Sequence, residues 1–200
     1  MISVKRIKEP ARFEADVRIP GTQWLAANPD AKRPSAFWSQ CLSELRNGFS
    51  SLCGYAAMFV PTGTVDHYLS CRNHPQRAYE WSNYRFASSE MNNIKRAKDN
   101  KVLDPFEVKE GWFEILLPSL QMVLTATVPP ALRNKAAYTL KHLKLQDDER
   151  VIRWRQSWYD LYLRGLPLEE LRKKAPLIAA AVDKQIAAAT LPRKKKPSTK

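Results

Sequence analysis

Thr64-Val65-Asp66-His67-Tyr68-Leu69, Tyr84-Arg85-Phe86-Ala87 and Ser88-Ser89-Glu90-Met91-Asn92-Asn93-Ile94-Lys95 are the runs on which the fold turns. The first is β-branched and aromatic and follows the turn formers Pro61-Thr62-Gly63, which predicts a strand. The second alternates in the same way. Ser88 or Ser89 has the side chain of a helix N-cap, because its hydroxyl can take up a backbone N–H that the first turn leaves free, and a helix is predicted over Glu90 to Lys98. The local order is strand, long loop, strand, helix.

Outward from this unit, helical signals dominate. Phe37, Trp38, Cys41, Leu42 and Leu45 recur at helical spacing, between Pro34 and Gly48. Asp147 to Arg164 is the clearest helix: acidic residues open it, where the helix dipole favours them, and Val151, Trp154, Trp158, Leu161 and Tyr162 form one stripe before Gly165 and Pro167 end it. Further helices are predicted from Pro130 to about His142, near 167–175 and near 177–189, with Pro176 as the break. The expected class is therefore α+β. Four regions follow: residues 1–50 as an N-terminal arm and one helix, 51–106 as the motif region, 107–190 as a helical C-terminal region, and 191–200 as a disordered basic tail.

Composition narrows the function. The 200 residues carry a formal charge of +13, of which five charges fall in the last ten residues, leaving +8 on the remainder. A basic body favours a polyanionic partner such as nucleic acid. No apolar run reaches the ~18–20 residues that cross a bilayer, and the charged Met1–Pro10 segment does not read as a secretory signal. A cytoplasmic protein without a membrane partner is expected. The cysteines, Cys41, Cys53 and Cys71, are odd in number and irregularly spaced, which reads as free thiols rather than a disulfide framework.

Three pieces inside the strand–loop–strand–helix unit can do chemistry together: Asp66-His67 on the first strand, Asn83 before the second, and Asn92 in the helix with Lys95 three residues on. Phosphodiester hydrolysis needs a base near neutral pH, which a histidine supplies. It also needs a cation at the phosphate, and a magnesium-type ion takes hard oxygen ligands from Asp and Asn side chains. Neighbours on a strand point to opposite faces, so Asp66 and His67 share a site only if the strand bends, or if one of them reaches in through its backbone.

On these residues the chain resembles the HNH endonucleases. The likeness covers roughly residues 52–106 and is carried by Asp66-His67, Ala78-Tyr79-Glu80-Trp81-Ser82-Asn83 and Asn92-x-x-Lys95, with Val102-Leu103-Asp104-Pro105-Phe106 resembling the segment that follows the core in one bacterial branch. The resemblance implies a small ββα-metal core embedded in a mostly helical domain. It implies that His67 activates water, that Asn83 steadies the loop and that histidine, and that Asp66 and Asn92 ligate Mg²⁺ or Mn²⁺. The branch resembles HNH partners in bacterial anti-phage systems, Septu-type and retron-associated, which implies an effector that cuts nucleic acid, DNA ahead of RNA, beside an ABC-type ATPase subunit.

The chain departs from that pattern in one respect. Relatives often hold a structural zinc with two Cys-x-x-Cys pairs, whereas Cys53-Gly54-Tyr55-Ala56 keeps one cysteine and the second pair falls on Ser88 and Met91, so no structural zinc is expected. Packing through Met58, Phe59, Phe86 and Met91 is expected in its place. The same loss motivates an alternative, a degenerate HNH-fold nucleic-acid-binding or adaptor subunit. A third reading is a subunit switched on by a partner. Lys95, Arg96 and Lys98 read either as a solvated helix face or as phosphate-binding residues. Asn83 reads equally as a loop-closing residue. Trp81 reads as core, Trp154 and Trp158 as packing on the N-terminal helix, and His74 as a loop histidine.

Overall fold

The computed structural model describes residues 1–190, so the tail at 191–200 lies outside the described residues. It is an α+β fold, with seven α-helices and two small antiparallel two-stranded sheets among those residues. No described helix is long and apolar enough to cross a membrane.

The first sheet pairs β1 (Thr64–His67) with β2 (Tyr84–Ala87), in a register that sets Asp66 opposite Arg85 and His67 opposite Tyr84. Helix α3 (Ser89–Lys95) follows at once, and the Ser88 side chain caps it by accepting the Met91 N–H. The helix is shorter than its sequence suggests. Arg96 closes it with φ 47°, a left-handed backbone value that an L side chain rarely adopts, so Lys98 lies beyond it.

The N-terminal region holds more structure than one helix. A π-helical turn at Glu14–Arg18 leads into α1 (Ile19–Ala27), and α2 (Leu42–Gly48) follows a 3-10 turn at Phe37–Cys41. The expectation of a single helix fails at Pro20-Gly21, where sequence argues against a helix interior. The reason for Gly21 is tertiary: a Cβ there would stand 2.3 Å from the ring of Tyr79. Tyr79 in turn donates to the Ser35 carbonyl at 2.8 Å, so the arm is fastened to the loop between β1 and β2.

The C-terminal region is not purely helical. β3 (Phe113–Leu116) and β4 (Gln121–Leu124) form a hairpin that the sequence reading missed. Phe113, Ile115 and Met122 point into the core, but Leu116 is exposed, and that blurs the alternation. The hairpin lies between α4 (Pro130–His142), beside β4, and α7 (Pro176–Thr190), along β3. The remaining helices are α5 (Glu149–Leu163), capped by Asp148, and α6 (Leu168–Lys174). Pro176 begins α7 rather than standing between helices, which suits a residue whose missing N–H would have no partner there. Trp158 meets Phe59 edge-on at 6.4 Å, not the N-terminal helices. Trp81 is core, wedged against Phe13 and Tyr84 with its indole N–H on the Ile7 carbonyl.

One buried cluster runs from Met1 to Val182 and joins all three described regions. Polar ties cross it. Arg155 is buried without a carboxylate partner and donates to the carbonyls of Leu120, Leu145 and Gln146, fixing α5 to the hairpin; burial lowers its pKa to about 10. Arg85 and Asp104 form a buried two-point ion pair at 2.5 and 2.6 Å, and the guanidinium stacks 4.0 Å from the centre of the Phe106 ring. This pair holds the segment after α3 against β2. Asp104→Ala strands a buried guanidinium, and urea unfolding should show a loss of about 3–5 kcal/mol; a loss under about 1 kcal/mol would mean that water reaches Arg85.

Candidate active site

The edge of β1 that faces away from β2 builds the site. Tyr68 N–H pairs with the Asn83 carbonyl, which by antiparallel alternation turns the carbonyls of Val65 and His67 outward. Helix α3 covers that edge. Asn92 Nδ2 donates to the Val65 carbonyl at 3.3 Å, and Lys95 Nζ donates to the His67 carbonyl at 2.8 Å. The two side chains stand three residues apart on one helix face, as two neighbouring carbonyls on one strand edge require.

Between these two contacts lies Asp66, 1% exposed. Its Oδ1 accepts from Lys95 Nζ at 3.1 Å and its Oδ2 from the Tyr55 hydroxyl at 2.6 Å. Burial, and then the Asp66 carboxylate, raise the Tyr55 pKa well above the usual range, so its hydroxyl remains a donor. Lys95 is fully buried, which corrects one expectation: its ammonium serves Asp66 and the strand and is not presented to a phosphate.

His67 is fixed from three sides. Its Nε2 lies 2.8 Å from the Ala78 carbonyl, and its ring meets Trp38 edge-on at 4.6 Å and Tyr84 at 5.0 Å. A carbonyl only accepts, so Nε2 carries the proton and Nδ1 keeps a lone pair. Burial lowers the His67 pKa, against a smaller opposing effect of the Ala78 hydrogen bond, so the ring is neutral at pH 7.

Asn83 holds the loop that supplies this carbonyl. Its Oδ1 accepts from Leu69 N–H at 2.8 Å, and its Nδ2 donates to Leu69 and Arg77 carbonyls at 2.9 and 3.0 Å. It does not hydrogen-bond His67 and does not line the cavity; it holds the Arg77 carbonyl, one residue before the Ala78 carbonyl on which His67 is aligned. From beyond α3, Asp99 ties down the start of the same loop by accepting from Ser70 N–H and from Asn73 Nδ2.

Asp66, His67 and Asn92 border one cavity of about 170 Å³ together with Arg33, Trp38, Ser70, Cys71 and Arg96. Sequence reasoning passed over Arg33, Trp38 and Tyr55, all far from the motif in sequence or in slots assigned to packing. Cys71 is not a nucleophile at neutral pH, because burial pushes its thiol up to about 11.

The donors fit a magnesium-type ion only in its water-rich form. Each Asp66 oxygen has one side-chain partner and retains a second acceptor direction, and Asn92, whose Nδ2 faces Val65, has no hydrogen bond to its Oδ1 among the described residues. Among the described residues no three His, Cys, Asp or Glu side chains gather as a metal cluster. One carboxylate and one amide oxygen match the sparse protein shell that Mg²⁺ accepts when water and substrate phosphates complete it. A buried ammonium 3.1 Å from the same carboxylate weakens binding in the absence of a phosphate.

The four positions where the resemblance would set zinc ligands are joined in two pairs: Cys53 Sγ accepts from the Ala56 N–H at 3.4 Å, and Ser88 Oγ accepts from the N–H of the fully buried Met91. Of the residues expected to pack in place of a metal, Met58, Phe86 and Met91 are buried.

No protein-family model matches the chain, and no curated protein matches it.

Replacing Asn83 by alanine leaves the Leu69 and Arg77 backbone groups unpaired. It should cost about 2–3 kcal/mol of stability in urea unfolding, whereas an unchanged midpoint would show that the loop holds itself.

Proposed function

We propose that this protein is a metal-dependent endonuclease of the HNH type that hydrolyses phosphodiester bonds in nucleic acid. The observation that carries the reading is the shared cavity: a neutral, aligned histidine, an oxygen pair from strand and helix, and two arginines border one space. Support comes also from the strand–strand–helix order and the basic charge of the body.

In this reading His67 Nδ1 takes a proton from water as the water oxygen bonds to phosphorus and the P–O bond to the leaving sugar oxygen breaks. The Ala78 carbonyl holds the imidazole at Nε2 and steadies the positive charge that the ring gains. Trp38 and Tyr84 limit its rotation. Arg33 and Arg96 supply positive charge to the phosphate oxygens. Asp66 and Asn92 would hold Mg²⁺ or Mn²⁺, which supplies Lewis-acid stabilisation of charge on the phosphate and leaving oxygen. DNA is the first substrate to try. An ABC-type ATPase partner and a role in anti-phage defence rest on the family resemblance alone.

One observation favours a second reading, a binding subunit without catalysis: both Asp66 oxygens already serve Tyr55 and Lys95, and Lys95 neutralises the carboxylate. Isothermal titration of Mg²⁺ and Mn²⁺ in the presence of an uncleavable phosphorothioate oligonucleotide separates the two. Binding that disappears in Asn92→Ala supports the enzyme, and no binding at all supports the adaptor.

His67→Ala should reduce cleavage of plasmid and single-stranded DNA by at least about 100-fold while the thermal midpoint and nucleic-acid affinity stay close to wild type. Cleavage by the variant at the wild-type rate would sink the assignment. Chelation by EDTA should stop cleavage, and added Mn²⁺ should restore it.

A further inference from the structure

The catalytic cavity does not end at its own rim. Arg96, at the strained end of α3, also borders a second cleft of about 630 Å³ between α3 and the α4–α5 connection. Lys98, His142, Lys144 and Arg150 line that cleft, and Ile94 is its one hydrophobic side chain. Not every cation there is available. Arg150 is held by Asp148 at 3.1 Å and by Glu90 at 3.0 Å, which also occupies the one acid on the wall. Lys98 donates only to the Ile94 carbonyl, and burial with the nearby charges of Arg96 and Lys95 lowers its pKa. Lys144 is 3.9 Å from Asp148 and keeps 55% of its side chain in solvent. On the other side of His67, Arg33 borders the catalytic cavity. Among the described residues neither Arg33 nor Arg96 forms an ion pair with a carboxylate.

We propose that Arg33, Arg96, Lys98 and Lys144 form one phosphate-binding track that crosses the His67 cavity and carries a nucleic acid strand onto the C-terminal helices. The proposal rests on the phosphodiesterase reading and adds the path of the substrate. Its parts suit that path. Guanidinium groups, whose planar fork binds phosphate at two points, stand at the cavity, and lysines, which act as point charges, stand farther out. The distal cleft lacks the apolar centre by which a protein partner is usually anchored. Among the described residues Arg33, Arg96 and Lys98 form no ion pair, so these like charges repel one another, and a polyanion relieves that repulsion.

The test is fluorescence-anisotropy binding of the full chain, in EDTA so that nothing is cut, to labelled single-stranded DNA, duplex DNA and RNA over about 50–200 mM salt. Arg33→Ala with Arg96→Ala, and separately Lys98→Ala with Lys144→Ala, should each weaken binding about tenfold. Each should also flatten the plot of log affinity against log salt by about 0.7–0.9 per lost contact. The control pair Lys173→Ala with Lys184→Ala removes equal charge from α6 and α7 and should leave both readouts unchanged. The three nucleic acids tell which strand form the track prefers.

If both track pairs behave like the control while the wild type binds, the path is wrong and the nuclease reading stands. If the wild type binds no nucleic acid, both fall. Competition by polyglutamate as strong as by nucleic acid of equal charge would make this an acidic-partner surface and overturn the track. Binding that weakens as expected, in a protein that cuts under no metal, would leave the track standing and remove the enzyme.

Discussion

The ion pair between Lys95 and Asp66 sets the position of everything else at the site. Both groups are out of water, and taking each there costs several kcal/mol that their attraction alone does not return. The arrangement holds because the surplus hydrogen-bonding capacity is used: Lys95 also donates to the His67 carbonyl, and Asp66 also accepts from Tyr55. Such a network is satisfied in one register only. It fixes α3 along the outer edge of β1, and Asn92, one turn earlier, then falls on the Val65 carbonyl with its oxygen free. A purely apolar contact would hold the helix as tightly but would not choose this rotation.

The histidine is set independently, from the loop side. Asn83 closes the loop at Leu69 and Arg77, which fixes the Ala78 carbonyl, which orients the imidazole. Tyr84 donates to the same carbonyl at 2.7 Å, so that oxygen is shared between the strand opposite and the imidazole ring. Strand neighbours that point apart can still border one cavity because Asp66 is drawn toward the helix while His67 is drawn toward the loop. The geometric demand that the sequence raises is met by two different anchors.

What the sequence revealed and what it hid follow one division. β1, β2 and the start of α3 were legible because β-branching, turn formers and an N-cap serine act locally. Lys95 was misread as outward because lysine is usually solvated. The signal that could have corrected this was its spacing of four from Met91, a buried residue on the same helix face. The N-terminal helix was hidden because Pro20 and Gly21 oppose a helix in isolation, and only the ring of Tyr79, far along the chain, explains the glycine. The hairpin at Phe113–Leu124 was hidden because exposed Leu116 spoils the alternation that marks a half-buried strand. For Lys95 and the N-terminal helix a tertiary contact outweighed a local preference; for the hairpin the local pattern itself was blurred.

The lone Cys53 and the surplus charge belong to the same physical account. At the first position where the resemblance would set a zinc ligand, Cys53 is a small buried hydrophobe, its thiol pKa raised by burial and its sulfur accepting from the Ala56 N–H. Packing then has to hold β2 and α3 together, and Met58, Phe86 and Met91 are buried to do so. Charge is distributed with equal economy. Along the outer helices, cations are matched by acids three or four residues away, as in Arg153 with Glu149 and Lys173 with Glu170. Around the cavity that matching stops: its one carboxylate, Asp66, is taken up by Lys95, and among the described residues Arg33 and Arg96 form no ion pair. A net charge spread evenly would have implied only solubility and loose attraction to polyanions. Two arginines without an ion pair among the described residues, beside an aligned imidazole, are where that attraction would act most directly.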